Sequence, residues 1–419
     1  MGPPRRYILR LRSFLSLERN IVVMTAAGLL QGFGLALWVG YMPRLLQELG
    51  ARGIMIGAFG TIGSFLWVVF PYVGGLLSDR LGRAQTMVVA GLLAAGGYVL
   101  YMTAWTWWLL LPGLVLTTAG VSFKFMGSLA LTGDAVRSQR RATATAIGGL
   151  VGMVPGIVGP LLGGLLIVRI GLIRGVRISL LVTVLLTLAA VWVQRHYYRL
   201  RRPARDGGAG ESVSTWRGAP SGLKNLLAAD CLLRFGSEMS AMFVILYVVN
   251  VLGSSELHFG FLMSVATLTA VLLMLPAAKL SDRASPGSRR PIVAATYLLF
   301  TAFPLALVVI PSAAWLIPVF VISGLRHVGE PVRKALIIDL AEGPNRGHLI
   351  GVYHTIRGAC VLPSALIGGW LWEWSPAAPF LVGSGISVSG LVWFLLSRPG
   401  REKNTGTGSC VEGTLEDAR

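Results

Sequence analysis

The feature that most constrains this chain is a run of twelve long apolar blocks, each near the length that crosses a lipid bilayer. A spanning helix needs about 20 consecutive apolar residues. The blocks cover roughly residues 21–43, 54–77, 86–105, 107–131, 144–168, 178–192, 226–252, 259–280, 291–310, 313–340, 349–371 and 380–396. The sixth is short unless it begins near Leu172 and takes in Arg174 and Arg177. A water-soluble chain of this length would carry roughly 25% charged residues, whereas this one carries 13% against 54% hydrophobic. Pro71, Pro155, Pro276, Pro331 and Pro363 lie inside blocks; a membrane bundle tolerates them because neighbouring helices re-satisfy the freed backbone groups. The predicted fold class is therefore an all-α polytopic membrane protein with twelve transmembrane helices.

Twelve crossings put both ends of the chain on one side. The N-terminus (Arg5, Arg6, Arg10, Arg12, Arg19), the turns with Arg80 and Arg83, with Arg137, Arg140 and Arg141, and with Arg283, Arg289 and Arg290 share that side with the basic stretch after His196. The intervening segments carry few Lys or Arg, Arg169, Arg174 and Arg177 being the exception. The positive-inside rule then places the termini in the cytoplasm of a cell membrane. Trp105, Trp107, Trp108, Trp315, Trp370, Trp372 and Trp374 fall at the opposite block ends, as an interfacial belt would. The net charge of +19 is what basic loops facing an anionic leaflet produce, so nucleic acid is not an expected partner. Cys231, Cys360 and Cys410 make no disulfide framework. The first block has no cleavage site of a signal peptide, and MGPPRR does not fit the myristoylation pattern. The expected organisation is a basic N-terminus (1–20), a six-helix bundle (21–195), a cytoplasmic central loop (196–224), a second six-helix bundle (225–397) and a disordered tail (398–419).

The two halves repeat. Asp79 and Arg80 recur as Asp282 and Arg283, Asp134 as Asp339, Arg141 as Arg346, and Gly163-Gly164 as Gly368-Gly369, all at offsets of 203 to 205 residues. Two six-helix bundles related by an axis along the membrane normal, around a midplane site, form a transporter architecture.

The stretch Gly75-Leu-Leu-Ser-Asp79-Arg80-Leu-Gly82-Arg83 resembles the loop between the second and third helices of the major facilitator superfamily, with a degraded copy at Asp282-Arg283. It departs from that pattern at Ala84, where the family often has a basic residue. A carboxylate at a helix C-terminus opposes the helix dipole, so Asp79 calls for Arg80 and Arg83 as partners. The resemblance implies that this loop, Gly75, Asp79, Arg80, Gly82 and Arg83 with Asp282 and Arg283, latches the cytoplasmic side against the other half; a merely topogenic turn is the alternative. In the fifth block, Gly156, Gly159, Pro160, Gly163 and Gly164 resemble the helix-five signature of the drug:proton antiporter branch, and small residues at this spacing let backbones pack closely.

Ionisable groups inside spans are costly and mark functional positions. Asp230, Arg234 and Glu238 in the seventh block share a stripe within about 80° of arc. Arg326, Glu330 and Arg333 share a face of the tenth, Lys124 lies in the fourth, and His354 and Arg357 lie in the eleventh. The resemblance places the first, fourth, seventh and tenth helices around the central cavity, and it matches Lys124 loosely to the family's basic residue in helix four. At about 1.5 Å per residue, Glu238 and Arg326 reach similar depth and are expected to pair. Glu238 is the first candidate for proton coupling, with Asp230 and Glu330 behind it; Arg234, Arg326, Lys124, Arg357 and His354 are candidate charge partners or substrate contacts. A static network that only holds the helices in register is the alternative. The deep charges sum to one excess cation, which suits anionic or zwitterionic solutes at least as well as cationic drugs. No HExxH, Walker loop or clustered metal ligands occur, so neither an enzyme nor a metal or cofactor site is expected. The sequence thus points to a monomeric secondary transporter exchanging a small organic solute and protons across the bilayer, by efflux. Uptake of an anionic or zwitterionic metabolite, and a non-transporting sensor or scaffold, are the alternatives.

Overall fold

A computed structural model describes residues 19–135, 149, 151–198, 216–283, 289–341 and 346–397. The basic N-terminus, Arg137, Arg140, Arg141, most of the central loop, Cys410 and the tail lie outside the described residues, as do the side chains of Asp134, Asp282, Arg283 and Arg346.

Apolar blocks with no water to bond their backbones must form helices, and they do. The first span runs through Arg19–Trp38, a tight turn at Val39–Tyr41 and a short helix Met42–Glu48; Gly53–Leu81, Arg83–Thr103, Leu110–Ala135, Pro155–Ile170 and Leu172–Tyr197 complete the first half. The second half consists of Ser221–Ala241 continued by Val244–Leu246 and Tyr247–Val251, then Glu256–Arg283, Arg289–Val309, Leu316–Val328 with Glu330–Leu340, Arg346–Val361 with Ser364–Trp374, and Ala378–Leu396. The seventh span bends by 45° where its helix breaks. This is the expected twelve-helix fold in two halves.

The sixth span is not short. It starts at Leu172 and takes in both arginines, because Arg177 reaches out of the apolar layer to donate to the Ala104 carbonyl at 2.9 Å. Arg174 is exposed.

Successive spans alternate in direction, which defines two faces. The terminal face carries both ends of the described chain and the turn at Gly82; the opposite, loop face carries turns near residues 49–52, 104–106, 252–255 and 375–377. Gly82 has φ +88°, a left-handed conformation that only glycine adopts freely, and this lets the second span reverse directly into the third. Around the bundle, Leu185, Leu272, Leu298, Val388 and Leu395 are exposed; a continuous apolar belt of this kind belongs against lipid tails rather than water. Trp105, Trp108, Trp315, Trp370 and Trp374 stand exposed on the loop face, whereas Trp372 turns inward and stacks on Phe243, ring centroids 5.1 Å apart.

The halves meet near the loop face. A Cβ on Gly164 would stand 2.6 Å from the Glu256 carbonyl and 2.8 Å from Leu257 Cα. The second and eleventh spans touch backbone to backbone at Gly53, Gly57 and Gly369. Polar ties reinforce the contact. Tyr41, which donates to the Pro160 carbonyl of its own half at 2.6 Å, also reaches the Glu256 carbonyl at 3.2 Å; Arg44 faces Glu256 at 3.6 Å, Asn250 donates to Gln47 at 2.9 Å, and the Ile54 amide donates to Glu373 at 3.1 Å.

Candidate functional site

The tenth span is interrupted where its charges sit. Pro331 has no N–H to bond the His327 carbonyl. The helix stops at Val328 and resumes at Glu330, leaving Arg326 and His327 in the last turn of one piece and Glu330 in the first turn of the next. A cation at a helix C-terminus and a carboxylate at a helix N-terminus each complement the local dipole. Gly329 fills the joint because Thr296 of the ninth span occupies the place a Cβ would take.

Below this break, toward the terminal face, the predicted charges assemble into one network. Asp230 is fully buried, and its Oδ2 accepts from Arg333, from Tyr353 (3.0 Å) and from Arg357 (3.2 Å). Arg333 also binds Glu330 at 2.6 Å, and the other oxygen of Glu330 pairs with Arg234. Arg234 further covers the Phe300 ring at 4.8 Å. All these residues come from the seventh, ninth, tenth and eleventh spans, within one half of the molecule. Tyr353 and Phe300 carry no charge and so do not stand out inside an apolar block; their trace in the sequence is an aromatic residue near a charged stripe.

Glu238 and Arg326 do not form the expected pair. Glu238 is exposed, on the same helix face as Ala241, and makes no ion pair among the described residues, although it lies within electrostatic range of both Arg234 and Arg326. The Arg326 guanidinium instead lies over the rings of Phe303 (4.5 Å) and Phe300 (5.5 Å). Its Nε has no hydrogen-bond partner among the described residues.

Arg326 and His327 project into a central cavity of about 640 Å³ between the halves. Its walls are mostly apolar, with the aromatic rings of Trp38, Phe59, Tyr98, Phe259 and Phe320 among them, and Ser237, Ser240 and Ser323 supply hydroxyls. Trp38 packs edge-on against Tyr98 and Tyr101 at 5.7 and 5.5 Å. Lys124 stands apart from both groups. It lines a cleft of about 90 Å³ inside the first half beside Gln31 and Thr187, separated from the central cavity by Leu35, Tyr98 and Val121, which border both. His354 is exposed.

The sequence profile of the Major Facilitator Superfamily matches residues 24–228 and 226–413, nearly the whole chain. The chain belongs to the Major Facilitator Superfamily. It is similar to an uncharacterized MFS-type transporter of Methanocaldococcus jannaschii, 22% identical over 385 residues that cover 90% of this chain and 94% of that one. It is also similar to the multidrug resistance protein MdtH of Sodalis glossinidius, 24% identical with 84% of each chain covered. Its fold matches the crystal structure of the nucleoside transporter NupG with a TM-score of 0.72 at 14% identity, covering 90% of this chain and 99% of that one. The protein is thus a multi-pass membrane transporter of this superfamily and not an enzyme.

Within the superfamily fold, the loop after the second span lies on the terminal face. Gly75 stands in the last turns of that span, Asp79 and Arg80 are exposed, and Arg83 opens the third span. Asp79 makes no ion pair among the described residues, and the polar ties between halves described above all lie toward the opposite face. In the fifth span Gly156, Gly159, Gly163 and Gly164 pack as a seam. Gly159, Gly163 and Tyr41 bind it to the first span, and Gly156 and Gly164 bind it to the eighth.

Proposed function

We propose that this protein is a secondary active transporter that carries a small organic solute through the central cavity by alternating access, with proton movement coupled through Glu238. The observation that carries this reading is a cavity rich in aromatic side chains between two halves whose ties, among the described residues, lie toward the loop face. A rocking motion that parts the loop-face ties and closes the terminal face would present the same cavity to the other side of the membrane. The basic terminal-face turns favour a cytoplasmic terminal face in the cell membrane, so the conformation described is the one open inward. Asp230 and Glu330 are held by two or more partners each within a single half, which suits a brace that moves as a unit. Glu238, exposed and without an ion pair among the described residues, is the carboxylate assigned to exchange the proton.

The glycine seam of the fifth span and the multidrug resistance relative favour export in exchange for protons. Arg326 favours a second reading, uptake of an anionic solute together with a proton. A protonated Glu238 leaves Arg326 uncompensated and so strengthens anion binding; by linkage the anion strengthens protonation.

Both are tested by reconstituting the protein in liposomes, imposing a pH gradient and following internal pH while anionic, zwitterionic and cationic solutes are added. Proton movement opposite to the solute marks export by exchange, and movement with it marks symport. Glu238→Gln is expected to keep downhill flux while losing accumulation driven by the pH gradient. Uphill transport by that variant with an unchanged pH dependence would remove Glu238 from the mechanism, and absence of any solute flux would remove the transport reading.

A further inference from the structure

We infer that the solute of the central cavity is an amphipathic organic monoanion, an apolar or aromatic body carrying one carboxylate or sulfonate, whose acid group binds Arg326. The inference rests on the reading of this cavity as the transport site and names the class of molecule it accepts.

The charge pattern comes first. Among the described residues lining the cavity there is no Asp or Glu. Arg326 makes no ion pair among the described residues; its neighbours Arg234 and Arg333 both do. Its positive charge rests on two phenyl rings, an arrangement that stabilises a cation but offers no hydrogen-bond acceptor. A guanidinium presents five N–H donors in a planar fork that matches a carboxylate or sulfonate. His327 beside it is neutral or positive and supplies no counter-charge. Lys124, behind the wall formed by Leu35, Tyr98 and Val121, adds a second basic group that makes no ion pair among the described residues. Glu238 is the carboxylate in electrostatic range, but it stands beyond ion-pair distance and exposed. A cation entering this space would meet repulsion, and a neutral solute would leave the fork unmatched.

The walls decide the rest of the molecule. Trp38, Phe59, Tyr98, Phe259 and Phe320 offer ring faces and edges, while the polar contacts are a few hydroxyls. Pockets of roughly 300–1,000 Å³ lined in this way bury most of a compact ligand, with a few polar groups setting its orientation. A small hydrophilic anion such as acetate would leave most of this lining in contact with water only. A naphthalene-sized body would cover it.

The experiment uses full-length protein in lipid nanodiscs and tritiated 1-naphthylacetate as the probe, read by scintillation proximity, with competition by 1-naphthylacetamide, 1-naphthylmethylammonium and acetate. Naphthylacetate is expected to bind about tenfold or more tightly than its neutral amide, the ammonium more weakly still, and acetate is expected to compete only at far higher concentration. Arg326→Gln is expected to bring naphthylacetate down to the affinity of the amide while the amide itself changes by less than about twofold; retained amide binding shows that the variant is folded. Equal or tighter binding of the amide or the ammonium to the unaltered protein overturns the inference. So does an acid preference that survives Arg326→Gln, effective competition by acetate, or the absence of saturable binding by all three naphthyl compounds. Binding as predicted without proton-driven flux in liposomes would defeat the transport reading alone, and flux with a preference for cations would defeat this inference alone.

Discussion

Asp230 is fully buried, and one of its oxygens receives Arg333, Arg357 and Tyr353 while the other has no partner among the described residues. Such a carboxylate is held in place by its cations, and they by it. Removing one member of a buried ion cluster leaves an uncompensated charge and costs about 3–5 kcal/mol. Asp230→Asn is therefore expected to lower the thermal unfolding midpoint in detergent markedly. Asp230→Asn combined with Arg333→Met is expected to lose less than the sum of the two single losses, because the pair is removed together. Additive losses would mean that the contact is incidental. At this scale much was legible in advance. Charges at i and i+4 inside an apolar block announce a polar face, which is how Asp230, Arg234, Glu330 and Arg333 stand out. Which acid meets which cation was not legible. Depth along two helices leaves rotation about each axis free, and the helix rotation found here gives Glu330, rather than Glu238, to the cations of the seventh and tenth spans.

The interruption of the tenth span at Gly329 sets the height of every charge on that helix. It also divides the charges by role, with Arg326 in the cavity and Glu330 and Arg333 in the network. Thr296 fills the space beside Gly329, Thr296 Cβ lying 2.8 Å from where a Cβ would be. A larger residue must push the ninth and tenth spans apart, and overpacking of this kind costs about 1–3 kcal/mol. Gly329→Val is expected to lower thermal stability by that order and to weaken naphthylacetate binding, because Arg326 shifts off Phe300 and Phe303. Thr296→Ala in the same protein is expected to return part of both losses. Unchanged stability would show that the two helices are not in tight contact. The blocks themselves were readable because a bilayer demands continuous apolar length, but their breaks were readable only in part. Pro331 signals a weak point in the tenth span. No comparable signal marks the bend after Ala241 in the seventh, where Met242 and Phe243 leave the helix. The sixth block reads as short because counting penalises Arg174 and Arg177, and a count does not register that a long side chain such as Arg177 can carry its charge past the end of the apolar layer.

For the whole molecule, the described contacts between halves gather toward the loop face. The sequence singles out the loop at Asp79 through its family resemblance, and the glycine seam of the fifth span through its spacing. It gives little notice of the ties near residues 41–57, 250–256 and 365–373, because they join positions 203 to 319 residues apart through single hydrogen bonds and backbone contacts. Their one sequence trace is the pair of acids Glu256 and Glu373 at block ends otherwise poor in charge. If these ties open and close during transport, a covalent bond across them must stop it. Gln47 and Asn250 are hydrogen-bonded at 2.9 Å from opposite halves near the loop face, so cysteines placed there face each other across the contact. In a background with Cys231, Cys360 and Cys410 replaced by Ser, Gln47→Cys with Asn250→Cys is expected to cross-link on mild oxidation. Solute flux should then stop, and adding a thiol reductant should restore it. Naphthylacetate binding should persist in the cross-linked protein, because on the proposed inward-open reading the cavity fills from the terminal face. Full transport in the oxidised protein would mean that these contacts are permanent and that the halves part elsewhere. Loss of binding together with flux would mean that the cavity fills from the loop face, reversing the sense in which this conformation is open.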